Sequence, residues 1–424
     1  MRRELKLAAA LAFLLAGNPA FATNGMRMIG FGPVQSSMGG VGVGATLDAS
    51  SVLSNPAGIT ELGRRIDVGL TWFKPTVDYQ ATEPVPSPFP TGAFVAQPGA
   101  TLDSNRGGSP IPAVGAAIPL GSGLTLGLGL FGVAGMGVDY DPNLYGGKTY
   151  TSYMQARFTP GIAYRINDQW SAGLTLNAMF AQMKWNVAAG FGQVPHDTAN
   201  SLGYGATVGV QFRPVKTVAL GIAYETQSVF QNFEFDVPQH DVPNPAPPPP
   251  AVTVPGGKDK LKFDQPAVLT LGAAVSPVEM LLLALDVEWI QWSATNGKDK
   301  PKFKNDTNLT GSMPWNMGWK DQWVVKLGGQ VQATRELTVR AGWNYGKQPL
   351  DKDRAFESIA FPAIAEHHVT AGVGYAFSDA FAANLGGMYA PKAKLSGANL
   401  NQGLASYETS MSQYSIDAGV SYRF

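Results

Sequence analysis

The sequence predicts an all-β fold, a 14-stranded antiparallel transmembrane β-barrel, and three observations point to it. Segments of about ten residues alternate apolar and polar side chains along most of the chain. Beyond the N-terminus there is no continuous apolar stretch of about 18 residues, which excludes a membrane-spanning helix. Short turns and long connections alternate between the segments, as they do in outer-membrane barrels.

Composition places the chain among folded proteins with few charges. Of its 424 residues, 45% are hydrophobic and 15% are charged, whereas soluble domains average about 25% charged. Lys and Arg together number 31, as do Asp and Glu, so we expect no binding of nucleic acid. The absence of cysteine excludes a disulfide framework and thiolate metal sites.

Residues 1–22 have the features of a secretory signal peptide. A basic head precedes an apolar run over residues 7–16, and Ala20-Phe21-Ala22 offers a small-x-small cleavage site. The apolar run is much shorter than the roughly 20 residues of a spanning helix. We therefore expect an exported protein whose mature chain begins near Thr23.

The C-terminal segment shows the alternation most clearly. One face carries Tyr414, Ile416, Ala418, Val420, Tyr422 and Phe424, and the other carries Ser415, Asp417, Gly419, Ser421 and Arg423. A last strand that ends in an aromatic residue resembles the signal read by the barrel-assembly machinery, which makes Phe424 the candidate contact for that partner. The alternative is an edge strand of a soluble β-sandwich.

Fourteen such segments are predicted. They cover residues 65–79, 110–119, 123–133, 152–166, 169–184, 201–213, 216–231, 261–275, 280–292, 322–333, 335–347, 367–377, 380–391 and 411–424. Charged side chains fall on one face only, and because unpaired backbone groups are costly in lipid, such strands must close into a barrel. Both termini and the short turns are expected in the periplasm. Aromatic residues near the strand ends are expected to form the interfacial girdles: Trp72, Tyr164, Trp170, Trp289, Trp343 and Tyr375.

Residues 23–64, before the first strand, are rich in glycine and small side chains. A short helix is predicted over residues 48–54, and Asn55-Pro56-Ala57-Gly58 predicts the turn that ends it. The segment could hang free in the periplasm or fold into the lumen as a plug. Without a plug, fourteen strands would enclose an aqueous channel.

This segment resembles the N-terminal hatch of the FadL family, outer-membrane transporters of long-chain fatty acids and aromatic hydrocarbons. The similar motifs are Thr23-Asn24-Gly25, Gly30-Phe31-Gly32, Ser37-Met38-Gly39-Gly40-Val41-Gly42 and Ser54-Asn55-Pro56-Ala57-Gly58. The Asn-Pro-Ala tripeptide also occurs elsewhere in the chain, so its position just before the first strand is the specific signal. The resemblance extends over the whole length, since fourteen strands is also the family's count.

The resemblance implies three parts: a signal peptide over residues 1–22, a hatch over 23–64 and a barrel over 65–424. It implies a plugged barrel in which a ligand is caught on outer loops and then moves to an apolar pocket. A shift of the hatch, with Asn55, Pro56, Ala57 and Gly58 as gating residues, would release it sideways where the third strand kinks inward. For an apolar solute, release into the bilayer is energetically downhill.

Glycines in the third strand predict this kink from the residues themselves. Gly132, Gly135 and Gly137 lie within six residues, and glycine inside a strand often marks a bulge or bend. Glycine-rich strands are common in this chain, which is the alternative explanation. Unbroken pairing from Gly127 to Val138 with both neighbouring strands would contradict the kink.

Two groups of candidate ligand-binding residues follow. Met317, Trp315 and Trp319 are apolar residues of a predicted outer loop, where exposure would indicate a binding surface, or else packing on other loops or contact with lipopolysaccharide. Basic residues predicted to face the lumen are Arg157, Lys326 and Arg340, and in the FadL family such side chains can meet a fatty acid's carboxylate. Alternatively they form ion pairs that brace the hatch against the wall, with partners Glu225, Asp286 and Glu288.

Three functions remain open from the sequence. A transporter of hydrophobic compounds leads, ahead of a non-specific diffusion porin and of an outer-membrane lipolytic enzyme or adhesin. No Ser is obviously paired with His368 in sequence, which leaves pairing across strands open. No metal-ligand cluster or nucleotide fingerprint is visible, and we expect neither catalysis nor a cofactor. Expected partners are outer-membrane lipid, lipopolysaccharide and fatty acids, alkanes or monoaromatics, bound by a monomer.

Overall fold

The computed structural model describes residues 23–86, 94–96, 98–142, 148–188, 193–243, 251–305, 316–354, 358–399 and 404–424. The predicted signal peptide and Trp315 lie outside these residues. None of the helices in the described part is long and apolar enough to cross a membrane.

Strands dominate the described residues. They are β1 (Arg65–Ala81), β2 (Val85–Pro86), β3 (Phe94–Ala96), β4 (Thr101–Asp103), β5 (Ser109–Gly121), β6 (Leu124–Tyr140), β7 (Thr149–Phe158), β8 (Gly161–Arg165), β9 (Trp170–Ala188), β10 (Gln193–Val215), β11 (Val218–Glu225), β12 (Val229–Phe230), β13 (Phe233–Val237), β14 (His240–Pro243), β15 (Ala251–Val254), β16 (Gly257–Lys262), β17 (Val268–Val278), β18 (Leu281–Ile290), β19 (Lys302–Asn305), β20 (Gln322–Gln332), β21 (Leu337–Gly346), β22 (His367–Ala376), β23 (Phe381–Asn399) and β24 (Leu404–Arg423). The helices are α1 (Gly32–Ser36), α2 (Ser51–Ser54), the 3₁₀ helix η1 (Pro56–Glu61) and α3 (Trp292–Asn296).

The large sheet closes into an antiparallel ring. Its order is β1, β5, β6, β7 with β8, β9, β10, β11 with β12, β17, β18, β20, β21, β22, β23 and β24. β24 returns to β1, in a register that runs from Arg65↔Arg423 to Ala81↔Tyr407. Because β7 and β8 share one position in the ring, as do β11 and β12, about fourteen strands surround the lumen. The predicted fold class is therefore confirmed.

Side chains alternate across the wall as the sequence predicts. In β24, Ile416 and Tyr422 are exposed on the outer face, whereas Asp417 and Ser421 are buried on the inner face. Trp289 and Trp323 stack on the outer face with their ring centroids 6.0 Å apart. An apolar exterior around a polar lumen is stable only where the exterior meets lipid.

The predicted start of the eighth strand, residues 261–275, is wrong. The barrel strand β17 begins at Val268, whereas Leu261 belongs to β16 and pairs with Phe233 of β13. β13, β16 and β19 form a separate three-stranded sheet beyond the outer end of the barrel. Alternation has the same period in both sheets, so it could not locate the boundary.

Candidate functional site

Residues 23–62 form a compact, almost fully buried segment inside the ring, which we call the hatch. Its short helices are set by local side-chain bonds. The Asn55 Oδ1 atom accepts a hydrogen bond from the Ala57 N–H at 3.1 Å, and Pro56 occupies the first turn of η1. Asn55 Nδ2 also donates to the Val43 carbonyl oxygen at 2.9 Å. Asn55 therefore joins two stretches of the hatch, at the position where the sequence predicted gating residues.

Glycines of the wall let the hatch approach the strands closely, at six of them with its backbone. At eleven of those in the described residues, on eleven different strands, an added Cβ would lie closer than 3.0 Å to a hatch atom. At Gly221 that atom is the Val43 carbonyl oxygen, 2.0 Å away, and at Gly342 it is the Gly39 nitrogen, 2.1 Å away. We call this set the wall glycines: Gly69, Gly115, Gly127, Gly173, Gly209, Gly221, Gly272, Gly328, Gly342, Gly372 and Gly419.

On β18 the hatch is bound by a carboxylate and does not pack against a glycine. Asp286 is buried, and its carboxylate oxygens accept hydrogen bonds from the backbone N–H groups of Gly42 at 2.7 Å, Val43 at 2.9 Å and Gly44 at 3.3 Å. On β22, Thr370 Oγ1 accepts from the Gly39 N–H at 2.9 Å. The part of the hatch from residue 33 to 62, which we call the seat, is thus fixed to the wall through its backbone.

The first residues of the hatch, 23–31, are held differently, and we call them the arm. Arg27 of the arm makes two bonds to Glu225 of β11, at 3.1 and 2.9 Å. Arg157 of β7 lies 2.5 Å from the same carboxylate and is only 1% exposed. The arm is therefore joined to the wall by one carboxylate shared between two guanidinium groups. Arg27 was not singled out from the sequence, because nothing in its neighbours indicates a partner about 200 residues away.

The three basic residues predicted to face the lumen are all buried or nearly so, and they do not meet at one point. Arg157 pairs with Glu225, and Lys326 pairs with Glu288 at 2.6 Å. Arg340 instead donates to Gln330 at 2.8 Å and to Asn384 at 3.1 Å. A small cavity of about 50 Å³ lies between hatch and wall beside the first two pairs. Its lining includes Arg27, Glu225, Asp286, Glu288 and Lys326, with Ile29, Phe31, Val43, Leu53 and Val268 as its apolar part.

β6 parts from β5 at the glycines that the sequence singled out. The last pair is Ala113↔Phe131, whereas β6 stays paired with β7 as far as Tyr140↔Thr149, with a bulge between Gly132 and Ala134. Residues 133–138 are all buried, so the alternation of faces is lost there. Gly135 and Gly137 lie in this stretch and Gly132 directly precedes it, and pairing with both neighbours is not continuous.

The arm covers the edge of β6 that β5 leaves open. Met28 N–H donates to the Val133 carbonyl oxygen at 3.1 Å, and Gly135 N–H donates to the Met26 carbonyl oxygen at 3.0 Å. Arg27 and Ala134 form the antiparallel bridge between these two bonds. The ring of Phe31, at the end of the arm, lies 5.9 Å from that of Phe131. The arm thus acts as a short substitute strand at the gap in the wall.

The outer half of the lumen is filled by apolar side chains from the outer connections. Met317 and Trp319 are 4% and 2% exposed, so the expectation of an exposed loop surface is wrong for these two residues. The connection between β18 and β20 folds inward and packs Trp319 against Trp292 of α3, with centroids 5.0 Å apart. A Cβ added to Gly25 would meet the Trp292 ring at 2.4 Å, so this cluster touches the arm.

Residues 358–365, from the connection between β21 and β22, add to this apolar layer. Phe361 and Ile364 are 0% and 1% exposed, and the Thr151 hydroxyl donates to the Ala360 carbonyl oxygen at 2.6 Å. The sequence did not predict a role for this segment, because its apolar residues show neither strand nor helix periodicity.

Comparison with known proteins agrees with this architecture. The model of the family described as Outer membrane protein transport protein (OMPP1/FadL/TodX) matches residues 16–424. A long-chain fatty acid transport protein of Escherichia coli is 23% identical over 92% of this chain and 90% of its own length. One of Salmonella typhi is 21% identical over 100% of this chain and 98% of its own length.

Solved structures share the fold at low identity. A Pseudomonas aeruginosa FadL homologue matches with a TM-score of 0.76 and 16% identity, over 94% of this chain and 100% of the other. The Pseudomonas putida toluene transporter TodX matches with a TM-score of 0.74 and 16% identity, over 95% and 100%. The chain is thus a β-barrel of the outer membrane that belongs to the OMPP1/FadL/TodX family of transport proteins.

Proposed function

We propose that this protein takes up long-chain fatty acids and releases them sideways into the outer membrane through the gap beside β6. The observation that carries the proposal is the loss of β5–β6 pairing after Phe131, where the arm, and no longer β5, pairs with residues 133–135 of β6. The names of the curated relatives support the substrate class. The chain acts in this account as a transporter and not as an enzyme.

The contacts of the seat with the wall favour a sideways exit of the solute over a route to the periplasm. The hatch lies so close to the wall glycines of eleven strands that an added Cβ would meet a hatch atom within 3.0 Å at each of them. Opening that route would require many close contacts and the Asp286 bonds to break together. A diffusion porin, in contrast, needs an open lumen.

The shared carboxylate supports a substrate with an acidic head group. A ligand carboxylate that reaches the cavity can replace Glu225 as the partner of Arg27 and Arg157. The exchange keeps both guanidinium groups paired, and it balances if the incoming carboxylic acid gives its proton to Glu225, which is then left neutral. No buried charge then carries the cost of several kcal/mol that an unpaired one would. Once Arg27 has exchanged its partner, the arm is held at β6 by two backbone hydrogen bonds, which contribute only about 0.5–1.5 kcal/mol each.

Growth on single carbon sources tests the substrate. A deletion strain that carries the intact gene on a plasmid should regain growth on oleate, whereas Arg157→Gln with Lys326→Gln should slow oleate uptake. The double variant should appear in the outer membrane in normal amount. Restored growth on toluene but not on oleate would contradict the fatty-acid assignment, and unchanged oleate uptake by the double variant would remove the role of these two residues.

A further inference from the structure

Lysines at alternate positions cover one face of the small outer sheet β13–β16–β19. Two nearly identical segments supply most of them, GKDKLKF at residues 257–263 and GKDKPKF at residues 297–303. In the antiparallel register Lys262 of β16 lies directly opposite Lys302 of β19. We propose that this face binds the phosphate groups of lipopolysaccharide in the outer leaflet beside the barrel.

The sheet has one apolar face and one charged face. Phe233, Phe235 and Leu261 are at most 1% exposed and pack inward, where Phe233 meets the ring of Tyr153 with centroids 6.4 Å apart. The opposite face presents Lys258, Lys260, Lys262 and Lys302, which are exposed or half-buried. The apolar face fixes the sheet to the protein and leaves the lysines outside.

Charge is balanced on one side of this sheet and in excess on the other. Toward β13, Lys258 lies 3.4 Å from Asp236 and Lys260 lies 3.0 Å from Glu234. Toward β19, Lys262 lies 3.2 Å from Asp264 and bonds the Phe230 carbonyl oxygen, and it faces Lys302. Like charges directly opposite each other destabilise a strand pair. A phosphate between Lys262 and Lys302 would turn this repulsion into charge-assisted hydrogen bonds.

The height of Lys262 matches the level of lipid phosphates. Its ammonium group donates to the Phe230 carbonyl oxygen, and Phe230 pairs with Gly203 of β10. The next residue of β10, Tyr204, is 70% exposed on the lipid face. From Tyr204 to Val215 at the periplasmic turn is eleven residues. At about 3.3 Å per residue and a tilt of about 40°, that stretch spans roughly 28 Å, close to the height of an apolar band of about 25 Å. The lysine face therefore lies at or just above the outer membrane boundary.

The outer-membrane location of the chain favours lipopolysaccharide as the occupant. Its phosphates lie at this boundary in the leaflet that surrounds the barrel, so binding needs no further partner. Lys216, at the turn between β10 and β11, offers a matched control because it is exposed at the opposite, periplasmic end. The proposal rests on the membrane location and not on the transported substrate.

Binding of bisphosphorylated lipopolysaccharide to the purified full-length protein tests this inference. Lys262→Gln with Lys302→Gln should weaken binding about tenfold, since two contacts between solvent-accessible charges are lost, each of them weak. Lys216→Gln should bind like the unaltered protein, and phosphatase-treated lipopolysaccharide should bind weakly to all three. Equal affinity of the double variant and the unaltered protein would overturn the proposal, and so would full competition by millimolar inorganic phosphate. Oleate uptake by the double variant should be unchanged, which separates this inference from the proposed function.

Discussion

The seat and the arm of the hatch are held in the same lumen by different forces. The seat packs closely against glycines of the strands, at six of them backbone to backbone, and its own backbone donates to the Asp286 carboxylate. The arm depends on one shared carboxylate and on two hydrogen bonds to the edge of β6. Close backbone contact cannot be exchanged for anything in a ligand, whereas an ion pair can. The difference indicates that the seat stays fixed in the lumen while the arm can be released, although both belong to one segment of about 40 residues.

Removing the shared charge should have the largest effect. Glu225→Gln leaves Arg157 and Arg27 buried without their counter-ion, a loss that costs about 3–5 kcal/mol when one partner of a buried pair is removed. The arm should then leave β6. The chain contains no cysteine, so Met28→Cys can be labelled alone with a maleimide, and labelling should rise in the Glu225→Gln background.

Glu408→Gln is the matched control, because its ion pair with Lys394 is exposed and such pairs contribute about 0–1 kcal/mol. It should leave the labelling of the introduced cysteine unchanged. Equal labelling in the Glu225→Gln and unaltered backgrounds would show that the carboxylate does not hold the arm.

The seat should become more stable as the pH falls. Burial, with the nearby Asp67 carboxylate, raises the pKa of Asp48 in the hatch from 3.8 to about 6. Because the folded hatch then binds a proton more tightly than the unfolded one, stability rises as the pH falls from about 7 toward 4, by up to about 3 kcal/mol.

Protection of the seat amides from hydrogen exchange measures this effect. Protection, corrected for the intrinsic exchange rate, should be greater at pH 5 than at pH 7, and Asp48→Asn should remove the difference. A seat that is less protected at pH 5 in the unaltered protein would contradict the sign.

Adding one methyl group to the wall should loosen the contact between the seat and the strands. Gly221→Ala puts a Cβ 2.0 Å from the Val43 carbonyl oxygen, and overpacking of this kind costs about 1–3 kcal/mol. In planar bilayers the variant should conduct ions more than the unaltered protein. Gly63→Ala is the control, since a Cβ there meets no atom within 4 Å. High ion conductance of the unaltered protein itself would favour a diffusion porin and contradict the closure of the lumen by the seat.

The sequence could predict the barrel because a strand with one face in lipid and one in the lumen must alternate with period two. It also singled out the glycines of β6 next to which the pairing with β5 ends, since glycine inside a strand often marks an irregularity. It named Glu225 among the possible partners of Arg157, but it could not find Arg27, because the Arg27–Glu225 contact joins residues far apart in the chain. Nor could it show that Met317 and Trp319 face inward, since a loop has no periodicity from which to infer a face.

A disulfide across the arm and β6 tests the central claim most directly. Met28→Cys with Val133→Cys places the two cysteines at neighbouring positions of the arm–β6 pair, and no other cysteine interferes. Oleate uptake by cells that carry the oxidised double variant should fall to the level of the deletion strain and recover on reduction, while each single variant transports normally. Uptake at the unaltered rate with the arm fully cross-linked would show that the ligand does not leave beside β6.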